Sequence, residues 1–169
     1  MKKLIPFLLI TIGMVLPMNA GLLEQLFFDG IEGVDVQNLK DAPNYPNSPD
    51  FADILVEEGL TTPVDQVDNY GSLIRGYFQA PATGDFTFFI SSDAAGEFWV
   101  SSDLDPANLA LVAEETASGA LLFSGDRLGE RSGTLSLERG GIYYFEALYK
   151  AGTGGGFVTI GWEKPDGTQ

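Results

Sequence analysis

The sequence predicts an all-β fold, a single antiparallel β-sandwich or barrel. The first reason is period two: Phe86, Phe88 and Ile90 share one parity, while Asp85, Thr87, Phe89 and Ser91 take the other. Such alternation marks a half-buried strand. The second reason is spacing: about ten short β-like runs are separated by clusters of Gly, Pro, Asn and Asp. The third is the near absence of helical periodicity, which leaves a sandwich or barrel as the economical architecture.

The chain opens with a leader. Lys2 and Lys3 precede an apolar run from Leu4 to Leu16, a Pro17 break and Ala20. This pattern predicts a secretory signal peptide over residues 1–20, cleaved after Ala20, and a β-domain over residues 21–169. The apolar run is shorter than the roughly 18 residues that a membrane-spanning helix needs. The destination expected is extracellular or cell-surface, with the periplasm as the other compartment such a leader serves.

Composition narrows the function. The net charge is −15, and loss of Lys2 and Lys3 makes it two units more negative. That field repels nucleic-acid phosphates and anionic lipid surfaces. Neither nucleic-acid binding nor membrane insertion after leader cleavage is expected. No Cys is present, so no disulfide framework supports the fold. The core rests instead on 12 Phe, 6 Tyr and 2 Trp.

Taken in order, Leu22 to Phe28 is the first strand. Neither of its parities is cleanly polar, so both its faces are expected to be covered. Asp41 to Pro49 holds three prolines and reads as a surface loop. Phe51 to Leu60 is ambiguous from its residues, since Ser48-Pro49 suits a helical start. A polar connection, Asp65 to Tyr70, leads into the strand Ser72 to Gln79. Ala80 to Gly84 is turn chemistry. The central pair of strands, around Phe86 to Ser91 and Glu97 to Val100, reads as a hairpin closed by the short loop Ser91 to Gly96. Beyond it come Leu109 to Ala113, a short strand Ala120 to Phe123, a charged connection Ser124 to Arg131, and a strand Ser132 to Glu138. In Ile142 to Lys150, Tyr143, Phe145, Ala147 and Tyr149 share a face. The glycine-rich loop Ala151 to Gly156 precedes a last strand with Val158, Ile160 and Trp162 in alternation.

Several of these runs carry a resemblance. Pro81-x-x-Gly84-Asp85-Phe86-Thr87-Phe88, Ser91-Ser92-Asp93 and Glu97-Phe98-Trp99-Val100-Ser101-Ser102-Asp103 resemble the protective-antigen fourteen-kilodalton (PA14) domain family. So do Pro46-Asn47-Ser48-Pro49, Asp68-Asn69-Tyr70-Gly71, Asp105-Pro106-Ala107-Asn108, Tyr143 to Ala147 and Gly161 to Gly167. They recur in order from about Leu22 to Thr168. The resemblance implies a lectin-like β-sandwich, and it favours a strand near Ile54 to Glu57 over the helical start. In some members it implies a calcium-dependent sugar site, where two adjacent aspartates joined by a cis peptide hold the ion.

This chain departs from that pattern. Asp93 keeps the first carboxylate, but Ala94 stands in the second place, and Gly154-Gly155-Gly156 occupies a loop where members often carry Asp or Asn. Ca²⁺ wants six to eight hard oxygens. Asp93 therefore marks a weak or lost calcium site, no cofactor is expected, and the Asp93–Ala94 bond is expected to be trans. The bland reading makes Asp93 an ordinary turn residue that accepts backbone N–H bonds. The candidate ligand-binding residues are Asp93, Glu97, Trp99 and Gly155. Tyr143, Tyr144, Phe157 and Trp162 could also stack on a sugar, but packing is the commoner use of such rings. Asp103 to Asn108, with Glu114 following, imitates the start of an EF-hand loop; Asn108 at the glycine position and the lack of flanking helices favour a simple polar turn.

No enzyme is expected. The chain has no His and no Cys, hence no triad base and no thiol nucleophile. Its 24 acidic residues admit a two-carboxylate glycosidase in principle, but most acids are solvated surface. The function expected is a secreted, non-catalytic module that binds carbohydrate or another cell-surface ligand, for adhesion or for targeting of a longer protein with further domains. The alternative is a structural or assembly module with a degenerate ligand site.

Overall fold

The computed structural model describes residues 22–56, 60–62, 67–117, 130–154 and 156–168. The expected leader, the expected strand Ala120 to Phe123 and candidate residue Gly155 lie outside the described residues. Ten strands are described: β1 (Leu22–Phe28), β2 (Phe51–Val56), β3 (Leu60–Thr61), β4 (Gly71–Gln79), β5 (Gly84–Ser92), β6 (Gly96–Ser101), β7 (Leu109–Glu115), β8 (Arg131–Leu137), β9 (Ile142–Lys150) and β10 (Val158–Glu163). A short helix, α1 (Val36–Lys40), follows β1, and a 3-10 turn spans Pro106–Asn108. One sheet has six strands in the order β2-β1-β4-β9-β6-β7; the other has four, β3-β10-β5-β8. Neighbours within each sheet are antiparallel. The expected all-β sandwich is therefore the architecture found.

The two sheets enclose the main core. Phe86, Phe88 and Ile90 of β5 face Phe98 and Val100 of β6 and Tyr143, Phe145, Ala147 and Tyr149 of β9. Val158 is fully buried with them, and Ile160 and Trp162 pack against the cluster from β10. The parities expected for β5, β6, β9 and β10 are those observed.

One expectation fails here. β5 and β6 do not form a hairpin; each belongs to a different sheet. The loop between them crosses the end of the sandwich. Its backbone bonds show why: Asp93 N–H donates to Phe157 O (3.1 Å), beside β10, whereas Ala95 N–H donates to Val34 O (3.3 Å), before α1. Alternation assigns a face to each strand but says nothing about which sheet the strand joins. A second correction concerns β5, which is not half-buried. Thr87, Phe89 and Ser91, on its outer parity, are also buried, and the Arg131 guanidinium lies 5.7 Å from the Phe89 ring centroid.

A second, smaller core lies on the outer face of the six-stranded sheet. Val36 and Leu39 of α1 pack there on Leu26, Phe28, Leu73 and Leu148. β1 is thus covered on both faces, as its mixed parities predict: Leu23 enters the main core, Leu26 and Phe28 the second. The sequence reading missed α1. At five residues it is too short to show a period, and its signal is local: Asp35 N–H donates to Asn38 Oδ1 (3.1 Å) across the first turn. Gly71 lets the helix approach, since a Cβ there would stand 2.5 Å from Leu39 Cδ1. β2 is a strand over Phe51–Val56, not a helix.

Candidate functional site

Three segments meet at the end of the sandwich where β5 crosses to β6. They are Asp93–Ala95, Thr116–Ala117 after β7, and Gly152–Thr153 after β9, with Val34 beside them. Together they line a shallow, open depression of about 280 Å³. Each rim segment is pinned. Ala95 O accepts from Lys150 N–H (3.0 Å), Gly152 O accepts from Asn69 N–H (2.8 Å), and Ala117 N–H donates to Glu115 Oε1 (3.0 Å). Gly154 N–H donates to Asp68 Oδ1 (3.0 Å), which holds the glycine-rich loop from below. Among the described residues the rim offers one carboxylate, two threonine hydroxyls and the exposed Val34 side chain.

Tyr149 and Tyr70, both buried, lie in the adjoining core with ring centroids 5.7 Å apart at 75°. Burial pushes the Tyr149 phenol far up, and the nearby Tyr70 and Asp93 add to the shift. The Tyr149 hydroxyl has no partner in full hydrogen-bonding geometry among the described residues, although Tyr70 and the Phe157 backbone are close enough to influence it. A Cβ on Gly156 would collide with that hydroxyl. Lys150 is also fully buried; its ammonium donates to Ala151 O, and desolvation lowers its pKa against the opposing pull of Glu32.

Glu97 and Trp99 stand elsewhere, on the outer face of the six-stranded sheet. Lys40 Nζ donates to both Glu97 oxygens (2.8 and 2.6 Å), and Trp99 Nε1 donates to Glu97 Oε2 (2.8 Å). The Lys40 ammonium also sits 5.2 Å from the centroid of the Trp99 ring. These groups tie α1 to β6. The structure brings Glu97 and Trp99 together but apart from the depression that Asp93 lines. Val34, Thr116 and Thr153 were missed. Thr153 lies in a loop that glycine content exposes; Val34 and Thr116 carry no local signal.

The other candidates have mundane places. Trp162 packs between Phe78, Phe86 and Phe88, with centroids 5.5–6.0 Å apart. Tyr143 and Phe157 are buried. Asp103 accepts from Asp105 N–H (2.8 Å) and from the Asn108 amide (3.1 and 3.0 Å), and Asp105 accepts from Ala107 N–H (2.9 Å). The first of these bonds, then the Asn108 amide, hold Asp103 below its usual range. This is the polar turn, not a metal loop.

Calcium does not fit the depression as built. Ala94 contributes no side-chain oxygen, and among the described residues Asp93 is the sole carboxylate on its rim. Among the described residues no three acidic side chains converge in a way that could hold a metal ion. Tyr45–Pro46 is the cis peptide among the described residues, so the Asp93–Ala94 bond is trans.

Comparison with known proteins places the chain. The model of the PA14 domain matches residues 37–169. The chain belongs to the PA14 domain family. A curated relative, the mouse N-acetyl-beta-glucosaminyl-glycoprotein 4-beta-N-acetylgalactosaminyltransferase 1, is 34% identical over 102 residues. That match takes 56% of this chain but 10% of the transferase. Among solved structures, the Epithelial Adhesin 9 A domain of Candida glabrata, in complex with Galb1-4GlcNAc, aligns with a TM-score of 0.59 and 14% identity. The alignment covers 90% of this chain and 87% of the adhesin domain. A beta-glucosidase from Kluyveromyces marxianus, in complex with glucose, aligns at 0.53 with 17% identity, over 84% of this chain and 15% of the glucosidase. At these identities the likeness shows the fold alone.

Proposed function

We propose that this PA14 domain is a secreted, non-catalytic module that binds carbohydrate at the Asp93 depression without calcium, in the service of adhesion or targeting. The observation that carries the reading is the composition of that rim. A carboxylate and two hydroxyls offer hydrogen bonds to sugar hydroxyls, and Val34 offers an apolar wall to a ring face. The adhesin domain that aligns over nearly its whole length was crystallised with a disaccharide, which supports the same ligand class. The domain matches only a small part of the transferase and the glucosidase, consistent with a module that serves longer proteins.

A glycan array probed in chelator and again in calcium tests this reading. Spots bound equally in both conditions are the expected result. A uniformly blank array overturns it in favour of a structural or assembly module, and sugar release from the spots would point to a hydrolase.

A further inference from the structure

Among the described residues, α1 and Tyr45 pack on part of the outer face of the six-stranded sheet. Across this face runs a row set by strand register. Glu24 of β1 pairs with Arg75 of β4, Arg75 with Glu146 of β9, and Glu146 with Trp99 of β6. In the next row Tyr77 pairs with Tyr144. Their rings lie 5.2 Å apart, Tyr144 is buried beneath, and Tyr77 is 46% exposed.

The charges on this face do not balance. Arg75 Nε donates to Glu24 Oε2 (2.6 Å), and Lys40 is held by Glu97. Among the described residues Glu146 has no ion pair within contact distance. It stands across from Arg75, where, against burial, the bond to Glu24 and also the charge of Glu146 raise that guanidinium, so one cation serves both Glu24 and Glu146. Glu146 Oε1 accepts from the Tyr144 hydroxyl (2.8 Å). The field of this surplus carboxylate is felt by its neighbours. Burial pushes the Tyr45 phenol up to about 12, and Glu146 and Glu97 add to that despite Arg75. Burial also raises Tyr144, and then its bond to Glu146 and the charge of that carboxylate raise it further.

We propose that this face is a second ligand surface, separate from the Asp93 depression, and that it takes a protonated amino-sugar chain. The apolar face of one ring lies on Tyr77, and an ammonium meets Glu146. Tyr77 and Glu146 are diagonal neighbours across one strand gap, roughly 7–8 Å apart, so adjoining parts of one oligosaccharide can reach both. A carboxylate that shares one guanidinium with a second carboxylate still attracts an ammonium, and the exposed Tyr77 ring beside it offers a flat apolar face to a sugar ring. A neutral sugar would leave the charge unused. A lysine side chain would satisfy the carboxylate but leave the flat ring of Tyr77 largely bare. The chain's net charge of −15 favours a cationic ligand as well.

The probes are a glucosamine tetramer, its fully N-acetylated counterpart and a lysine tetramer, titrated calorimetrically into the protein at mildly acid pH. The glucosamine tetramer is expected to bind, more weakly as salt rises. Its affinity is expected to fall at least about tenfold in Glu146→Gln and in Tyr77→Ala. The amide that replaces the carboxylate in Glu146→Gln can still accept from the Tyr144 hydroxyl, so the fold is retained. Glu138→Gln makes the same charge change on an exposed turn and is expected to bind the tetramer as the parent does. Equal binding of the N-acetylated or lysine tetramer overturns the proposal, as does equal weakening by Glu138→Gln or no binding at all. Loss in Asp93→Ala alone would assign the ligand to the depression instead.

Discussion

The ring of Phe88 lies 5.4 Å from the ring of Phe98, across the interior from one sheet to the other. Two strands adjacent in sequence therefore face each other instead of pairing. The loop that joins them, with Asp93 at its crest, is carried over the end of the sandwich to meet the loops that follow β7 and β9.

Phe88 is 2% exposed and contacts Phe78, Phe98 and Trp162. Phe88→Ala is expected to cost about 3–5 kcal/mol through lost transfer energy and the cavity left behind. Urea unfolding measures it. A near-neutral result would place the β5 register off by one.

The Lys40–Glu97 pair has side chains 29% and 17% exposed. Lys40→Ala removes both bonds to Glu97 and the cation above Trp99, at an expected cost of roughly 1–2 kcal/mol. Trp99 fluorescence should then shift to longer wavelength as α1 loosens. An unchanged spectrum and midpoint would mean that α1 is held by Val36 and Leu39 alone.

Much of this architecture is legible in the sequence. β1, β4, β8, β9 and β10 begin and end within a residue or two of where alternation and turn residues place them. The sheet assignment of β5 and β6 is not legible, because period two fixes a face and not a partner. Nor is α1, whose apolar contacts, Val36 and Leu39, amount to a single turn. The site is half legible. Asp93 stands out in a short polar loop, whereas Val34 and Thr116 reach the rim from segments that only the topology brings together. Glu97 and Trp99 share one parity, and nothing in their neighbourhood along the chain signals that α1 would cover that face.

Gly156→Ala should destabilise the domain by roughly 1–3 kcal/mol, because the added carbon meets the Tyr149 hydroxyl in a packed core. Gly154, where an added Cβ meets nothing within 4 Å, is the contrast, though its φ of +103° still disfavours alanine. Full stability in Gly156→Ala would show that the core around Tyr149 yields easily.

Alkaline pH should unfold the domain. Tyr45, Tyr70, Tyr144 and Tyr149 all have folded pKa values raised above 10.0, chiefly by burial. The unfolded chain therefore releases these protons first. The stability they confer is complete below about pH 10 and is lost as pH rises, for Tyr45 through about 12. Lys150 acts in the opposite sense, since its lowered folded pKa adds stability as pH climbs towards its ordinary 10.5. Four phenols outweigh one amine. Urea midpoints taken from about pH 9 to about pH 12 should fall steeply in the upper half of that range; a flat profile would mean the phenols ionise freely in the folded state.

The central claim is that the Asp93 depression binds sugar without calcium. The most direct measurement is calorimetric titration of the strongest array ligand into the wild type and Asp93→Ala, each in chelator and in calcium. Equal wild-type affinity in both media, with at least about a tenfold loss in Asp93→Ala, is the result the account predicts. Wild-type binding that appears only with calcium, or binding that survives in Asp93→Ala, would contradict it.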